Sequence, residues 1–154
     1  MAIQIFIAHS VAPRELAAVS VVADTTASKG AVPIISLRNW DPKLMPPGVK
    51  TQIDSSNYVI AIVTRYGRQL DWVNAEIAYS QEVGRPILIV ADEGIPIPPQ
   101  YNIIRINRSE ALRTLSAVSR KIQEWVDDEE TKKLLRGLVV GGLVLLFLTS
   151  SKGE

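Results

Sequence analysis

Five short runs rich in isoleucine and valine constrain this chain more than any other feature: "IQIFIA" (3 to 8), "VPIISL" (32 to 37), "YVIAIVT" (58 to 64), "PILIVA" (86 to 91) and "NIIRI" (102 to 106). Most are apolar on successive residues, so both faces of each strand need cover, as in a parallel sheet held between two layers of helix. The segments between them supply the helices. Residues 11 to 29 carry Pro13 in a first turn and Gly30 just past the end, the usual asymmetry of helix start and stop. In residues 71 to 83, Asp71 is the predicted N-cap and "GRP" the terminator, with Gly84 taking a left-handed position and Pro86 forbidding continuation. A long C-terminal helix is predicted to start near "NRSE", with Asn107 as cap and Glu110 three residues on. The fold class is therefore α/β, a three-layer domain on a five-stranded parallel sheet, whose crossovers direct ligands to the carboxyl ends of the strands.

Composition removes several kinds of chemistry. At 154 residues, 47% of them hydrophobic, the chain has the size of one α/β domain. A formal net charge of +1 provides no broad basic field, so nucleic acid is not an expected partner. With no cysteine, disulfides, thiolate metal sites and cysteine nucleophiles are excluded. His9 is the only histidine, and no loop is rich in carboxylates, so neither a metal nor a cofactor is expected. The phosphate-cradling patterns GxGxxG and GxxxxGK[ST] and the hydrolase GxSxG do not occur. The N-terminus lacks the basic and long apolar regions of a signal peptide.

The C-terminus stands apart. Residues 137 to 151, "GLVVGGLVLLFLTSS", carry no charge and contain three glycines, after a charged stretch at 128 to 136. As a helix these positions span about 22 Å, and extension back through Leu134 brings this to about 27 Å, against about 30 Å for a hydrocarbon core. The segment is apolar all round, unlike an amphipathic core helix. Its expected role is a transmembrane anchor. Lys132, Lys133 and Arg136 precede it and only Lys152 follows, which places residues 1 to 127 on the cytoplasmic face. Gly137 and Gly141 form a GxxxG through which two such helices can approach.

Three polar segments converge at the carboxyl edge of the expected sheet: "AHS" after the first strand, "LRNWDPKLMPPG" after the second and "TRYGRQLDW" after the third. Four stretches in order, "IFIAHS", "LRNWDPKLMPPG", "IDSSNYVIAIVT" and "DWVNAEIAYSQEVGRPILIV", resemble successive boxes of the Toll/interleukin-1 receptor (TIR) domain family over residues 3 to 125. Trp72 and Glu76 match that family's WxxxE. The resemblance implies a flavodoxin-like fold and activity as an NAD+ nucleosidase or cyclase, of the microbial NAD-consuming type, with NAD+ as substrate and self-association as trigger.

In the enzymatic members the glutamate of WxxxE is catalytic, which makes Glu76 the candidate. Cleaving the nicotinamide N-glycosidic bond develops positive charge on the ribose, and a nearby carboxylate stabilises it. By the same resemblance Ala8, His9 and Ser10 are candidate pocket residues, and Arg38 and Trp40 lie in a loop that contacts nucleotide and neighbouring subunits. Trp72 is a candidate pocket wall and Tyr66 a candidate stacking residue. Helical spacing puts Trp72 and Glu76 on one face, with Val73, Ile77 and Ser80 on a neighbouring stripe against the sheet. Ala8 departs from the serine many relatives carry, and the approach to Gly48 is longer and richer in proline than usual. Read from the helix alone, Glu76 is a solvated acid and Trp72 a half-buried packing residue, and two other functions stay open: a non-enzymatic homotypic assembly module and a nucleoside deoxyribosyltransferase-like enzyme.

Overall fold

The apolar runs form one parallel sheet of order β2-β1-β3-β4-β5. In the computed structural model, residues 2–10, 16–36, 39–65, 67 and 70–152 are described, without the side chains of 10 and 133–152. The strands are β1 (Gln4–Ser10), β2 (Val32–Ile34), β3 (Tyr58–Val63), β4 (Ile87–Asp92) and β5 (Asn102–Ile106). The helices are α1 (Leu16–Ser28), α2 (Pro47–Asp54), α3 (Leu70–Glu82) and α4 (Ala111–Lys152). Every residue of β3 and β4 is buried, which is why these runs are apolar without alternation. The edge strands β2 and β5 are partly exposed.

Strand alternation divides the core in two. Ile5, Ile7, Ile60, Ile62, Leu88 and Val90 face Val19 and Val22 of α1 and Val118, Ile122 and Trp125 of α4. On the other side, Phe6, Ala8, Val59, Ala61 and Ile89 face Val49 and Ile53 of α2 and Val73 of α3, with Trp40 among them. Each fully buried aliphatic side chain contributes about 1.5–3 kcal/mol, so both helical layers are fixed by burial. The strand order reverses between β1 and β3, and the crevice of such a sheet opens there, at the carboxyl edge.

Several local expectations hold and several change. Gly30 (φ 82) and Gly84 (φ 73) end their helices in the left-handed conformation that glycine adopts without steric cost. Asp71 is not the cap of α3: the helix already includes Leu70, and Asp71 lies in its first turn, where its charge still complements the helix dipole. Asn107 is not a cap either, because α4 begins at Ala111. Its Oδ1 instead accepts from the Ser109 N–H (3.1 Å) and hydroxyl (2.7 Å), forming an Asx turn ahead of the helix. The proline-rich stretch after β2 holds the unforeseen helix α2, with proline in its first turn. β1 continues through Ser10, so "AHS" is strand and not loop.

Helix α4 runs antiparallel to the strands. It starts by Arg108 at the carboxyl edge and reaches the opposite edge where Trp125 stacks on Tyr58 (4.5 Å between centroids, 11° between planes). There the Tyr58 hydroxyl donates to Glu129 (3.0 Å). The charged stretch 128 to 136 continues this helix without a break. Among the described residues no helix is long and apolar enough to cross a membrane. The tail side chains, and the anchor expected there, lie outside the described residues.

Candidate functional site

Helix α3 enters from the carboxyl edge of β3 and packs over β1 and β3. Its buried residues are Val73, Glu76 and Ser80, spaced three and four apart along one stripe. That stripe faces the sheet, so the glutamate lies on the buried face itself and not on a face beside it. Glu76 is 1% exposed, which removes the possibility of a solvated helix carboxylate. Ile77, expected against the sheet, is only partly buried. The Ser80 hydroxyl donates back to the Glu76 carbonyl (2.6 Å), satisfying a buried polar group within the helix.

Trp72 and Trp40 close the start of this helix. The Trp72 indole N–H donates to the Trp40 carbonyl (2.8 Å). The rings meet edge to face, with centroids 6.4 Å apart and planes at 71°, a favoured aromatic arrangement. Trp40 is 9% exposed and belongs to the α2/α3 core. The pair therefore joins the segment after β2 to the first turn of α3.

The candidates in β1 separate. Ala8 pairs in register with Ala61, and both face the α2/α3 layer that contains Glu76. His9 pairs with Ile62, which faces α1 and α4, so alternation assigns half-buried His9 to the opposite side of the sheet. Ser10 pairs with Val63 at the end of the strand, and its side chain lies outside the described residues, as do Arg38 and Tyr66. The structure thus places Ala8, Trp40, Trp72 and Glu76 on the α2/α3 side of the sheet and His9 on the other.

Two clefts open near the same edge. One, of about 510 Å³, lies between α1 and α4 and is lined by Val21, Ile62, Val90, Arg108, Leu112 and Val118. The other, of about 410 Å³, lies between α3 and the connection from β4 to β5, with Asn74, Ile77, Pro96 and Tyr101 among its walls. Glu76 lines neither. Among the described residues no group of acids and histidines suits a metal ion.

One feature of this edge was not anticipated. Asp92 ends β4 with no exposure, and the Arg108 guanidinium grips its carboxylate by two hydrogen bonds, Nε to Oδ1 at 2.8 Å and Nη2 to Oδ2 at 2.6 Å. Its Oδ2 also accepts the backbone N–H of Arg65 (2.8 Å). The signal for it was the acid that closes the apolar run "ILIVAD". Burial by itself would raise the Asp92 carboxyl, but the bonds and charges of Arg108 and Arg65 outweigh it and hold it below the ordinary aspartate range.

A depressed carboxylate stabilises the fold above its unfolded value of about 3.9 and loses that contribution as pH falls through the folded value. Asp92→Asn is accordingly expected to lower stability near neutral pH by about 2 kcal/mol. Loss of a buried pair costs more than this, but here solvent screens the half-exposed arginines. The gap between wild type and variant should close in acid, as thermal melts across pH would show.

The family model described as "Thoeris protein ThsB, TIR-like domain" matches residues 14–95, just over half of the chain. No curated protein matches it. The matched span contains Trp40, Trp72 and Glu76 and runs from the start of α1 through β4. With a parallel five-stranded sheet in the order β2-β1-β3-β4-β5 around that span, the chain belongs to the ThsB family of TIR-like domains.

Proposed function

We propose that this domain cleaves the nicotinamide N-glycosidic bond of NAD+, by hydrolysis or cyclisation, with Glu76 as the catalytic carboxylate. The observation that carries this reading is the burial of Glu76, 1% exposed, on the sheet-facing stripe of α3. A carboxylate removed from water acts on a developing ribosyl cation far more strongly than a solvated one. Nicotinamide departs as a neutral molecule, so one well-placed carboxylate suffices. The Thoeris match supports a place in microbial defence signalling.

Burial also implies how activity is controlled. A carboxylate with 1% exposure does not meet a ribose until the residues above it shift, and self-association of TIR domains would supply the free energy for that shift. The test is to cluster the purified chain on liposomes with NAD+ and measure nicotinamide. Release that rises with clustering supports the reading. No release under clustering leaves the assembly module, for which a buried Glu76 is a packing residue.

The apolar run at 137 to 151 would hold the domain on the cytoplasmic face of a membrane as a C-terminal anchor. Removing residues 134 to 154 keeps the Trp125 and Glu129 contacts with Tyr58, so the fold should survive. The truncated chain is expected in the soluble fraction of a cell lysate and the full chain with the membranes. A truncated chain that still sediments with membranes would refute the anchor.

A further inference from the structure

We propose that Asp92 is the positioning residue of the loop between β3 and α3, the segment that leads into the helix holding Glu76. The loop leaves β3 at Thr64 and makes a turn closed by the Gly67 N–H on the Thr64 carbonyl (3.0 Å). Inside that turn the Arg65 N–H belongs to neither a strand ladder nor a helix, and this part-buried donor takes its acceptor from outside the loop. Asp92 of the adjacent strand provides it at 2.8 Å, from a position of no exposure.

The carboxylate is itself fixed. The two-pronged grip of Arg108 sets its plane, so Oδ2 points in one direction only. Arg105 Nη1 donates to the Asp92 carbonyl (3.0 Å) and to the Ile95 carbonyl (2.7 Å), which fixes the turn after β4. Three connections at the carboxyl edge, after β3, β4 and β5, therefore meet at this one residue. The side chain of Arg65 is peripheral by comparison: its Nε stands 3.8 Å from Oδ2 and it is 48% exposed. The main-chain donor is what Asp92 holds.

The consequence for catalysis rests on the NAD+ reading above, whereas the consequence for loop order does not. In Asp92→Asn, amide exchange at residues 64, 65, 67 and 70 to 72 should accelerate about ten-fold through local opening, the equivalent of one lost charge-assisted hydrogen bond, whereas β1, an inner strand that opens only with the whole domain, should change no more than the overall loss of stability requires. Arg65→Ala retains the main-chain donor and should have a smaller effect. In the clustered full chain, Asp92→Asn should lower kcat about a hundred-fold through misplacement of reacting groups, with KM little altered. Unchanged exchange in Asp92→Asn overturns the proposal, as does an equal effect of Arg65→Ala, or faster exchange with unaltered kcat. Should Asp92→Asn fail to fold, Arg108→Lys keeps a cation beside the carboxylate but cannot make the two-pronged grip, and faster exchange across the same residues is again required. A wild-type chain that releases no nicotinamide would remove the enzymatic reading, and the exchange comparison would still decide the role of Asp92.

Discussion

Glu76→Gln is expected to lower nicotinamide release by about a thousand-fold, the scale of removing a dominant electrostatic contribution to a transition state, with little change in folding. Glutamine keeps the shape and one acceptor oxygen but carries no charge, so packing between α3 and the sheet is preserved. A buried carboxylate is a costly group to keep. Val73 and Ser80, its buried companions on the stripe, show what the sheet otherwise accepts there: a small aliphatic residue and a hydroxyl bonded back to its own helix. If Glu76 only packed, Glu76→Gln would melt near the wild-type temperature and release nicotinamide at the wild-type rate, and the enzymatic assignment would fall. If it is catalytic, stability and activity separate, with the fold intact and the rate lost.

Trp40→Ala should destabilise the domain by about 3–5 kcal/mol, as expected for deleting a large buried aromatic side chain, with a fall in melting temperature of roughly 10 °C for a chain of this size. Trp40 is 9% exposed, lies edge to face with Trp72 and shares a core with Val49 and Ile53 of α2. The truncation removes the ring that ties the segment after β2 to the start of α3. Trp72→Phe is a milder companion: it deletes the hydrogen bond to the Trp40 carbonyl, for about 1 kcal/mol, together with part of the ring area packed on Trp40. Urea unfolding of both variants measures the two contributions. A Trp40→Ala midpoint equal to wild type would show that the residue is not part of the core.

The strands were legible because burial on both faces leaves a compositional mark: β3 and β5 begin where their apolar runs begin, at Tyr58 and Asn102. Helix ends at Gly30 and Gly84 were legible because a left-handed turn selects glycine. Helix α2 was hidden by its own start, since Pro46, Pro47 and Gly48 look like a loop even though proline suits the first turn of a helix. The burial of Glu76 was misplaced because an acid is ordinarily assigned to the polar face of an amphipathic helix, and only packing showed that this helix turns its glutamate inward. Asp92 was missed for a different reason. Its partners, Arg65 and Arg108, lie 27 and 16 residues away, and pairings at that range come from sheet order and not from local pattern. The resemblance groups His9 with Ala8 as though both stood in one loop, whereas in β1 neighbouring residues face opposite sides of the sheet.

Helix α4 begins beside Arg108 at the edge that carries the candidate site and passes Tyr58 at the far edge before its last residues. With the proposed anchor at its far end, this helix would be the shaft of a post that presents the crevice edge outward, away from the grip. Molecules held by such posts on one surface would stand side by side with their crevices facing the same way, free to meet sideways and open to solutes from above.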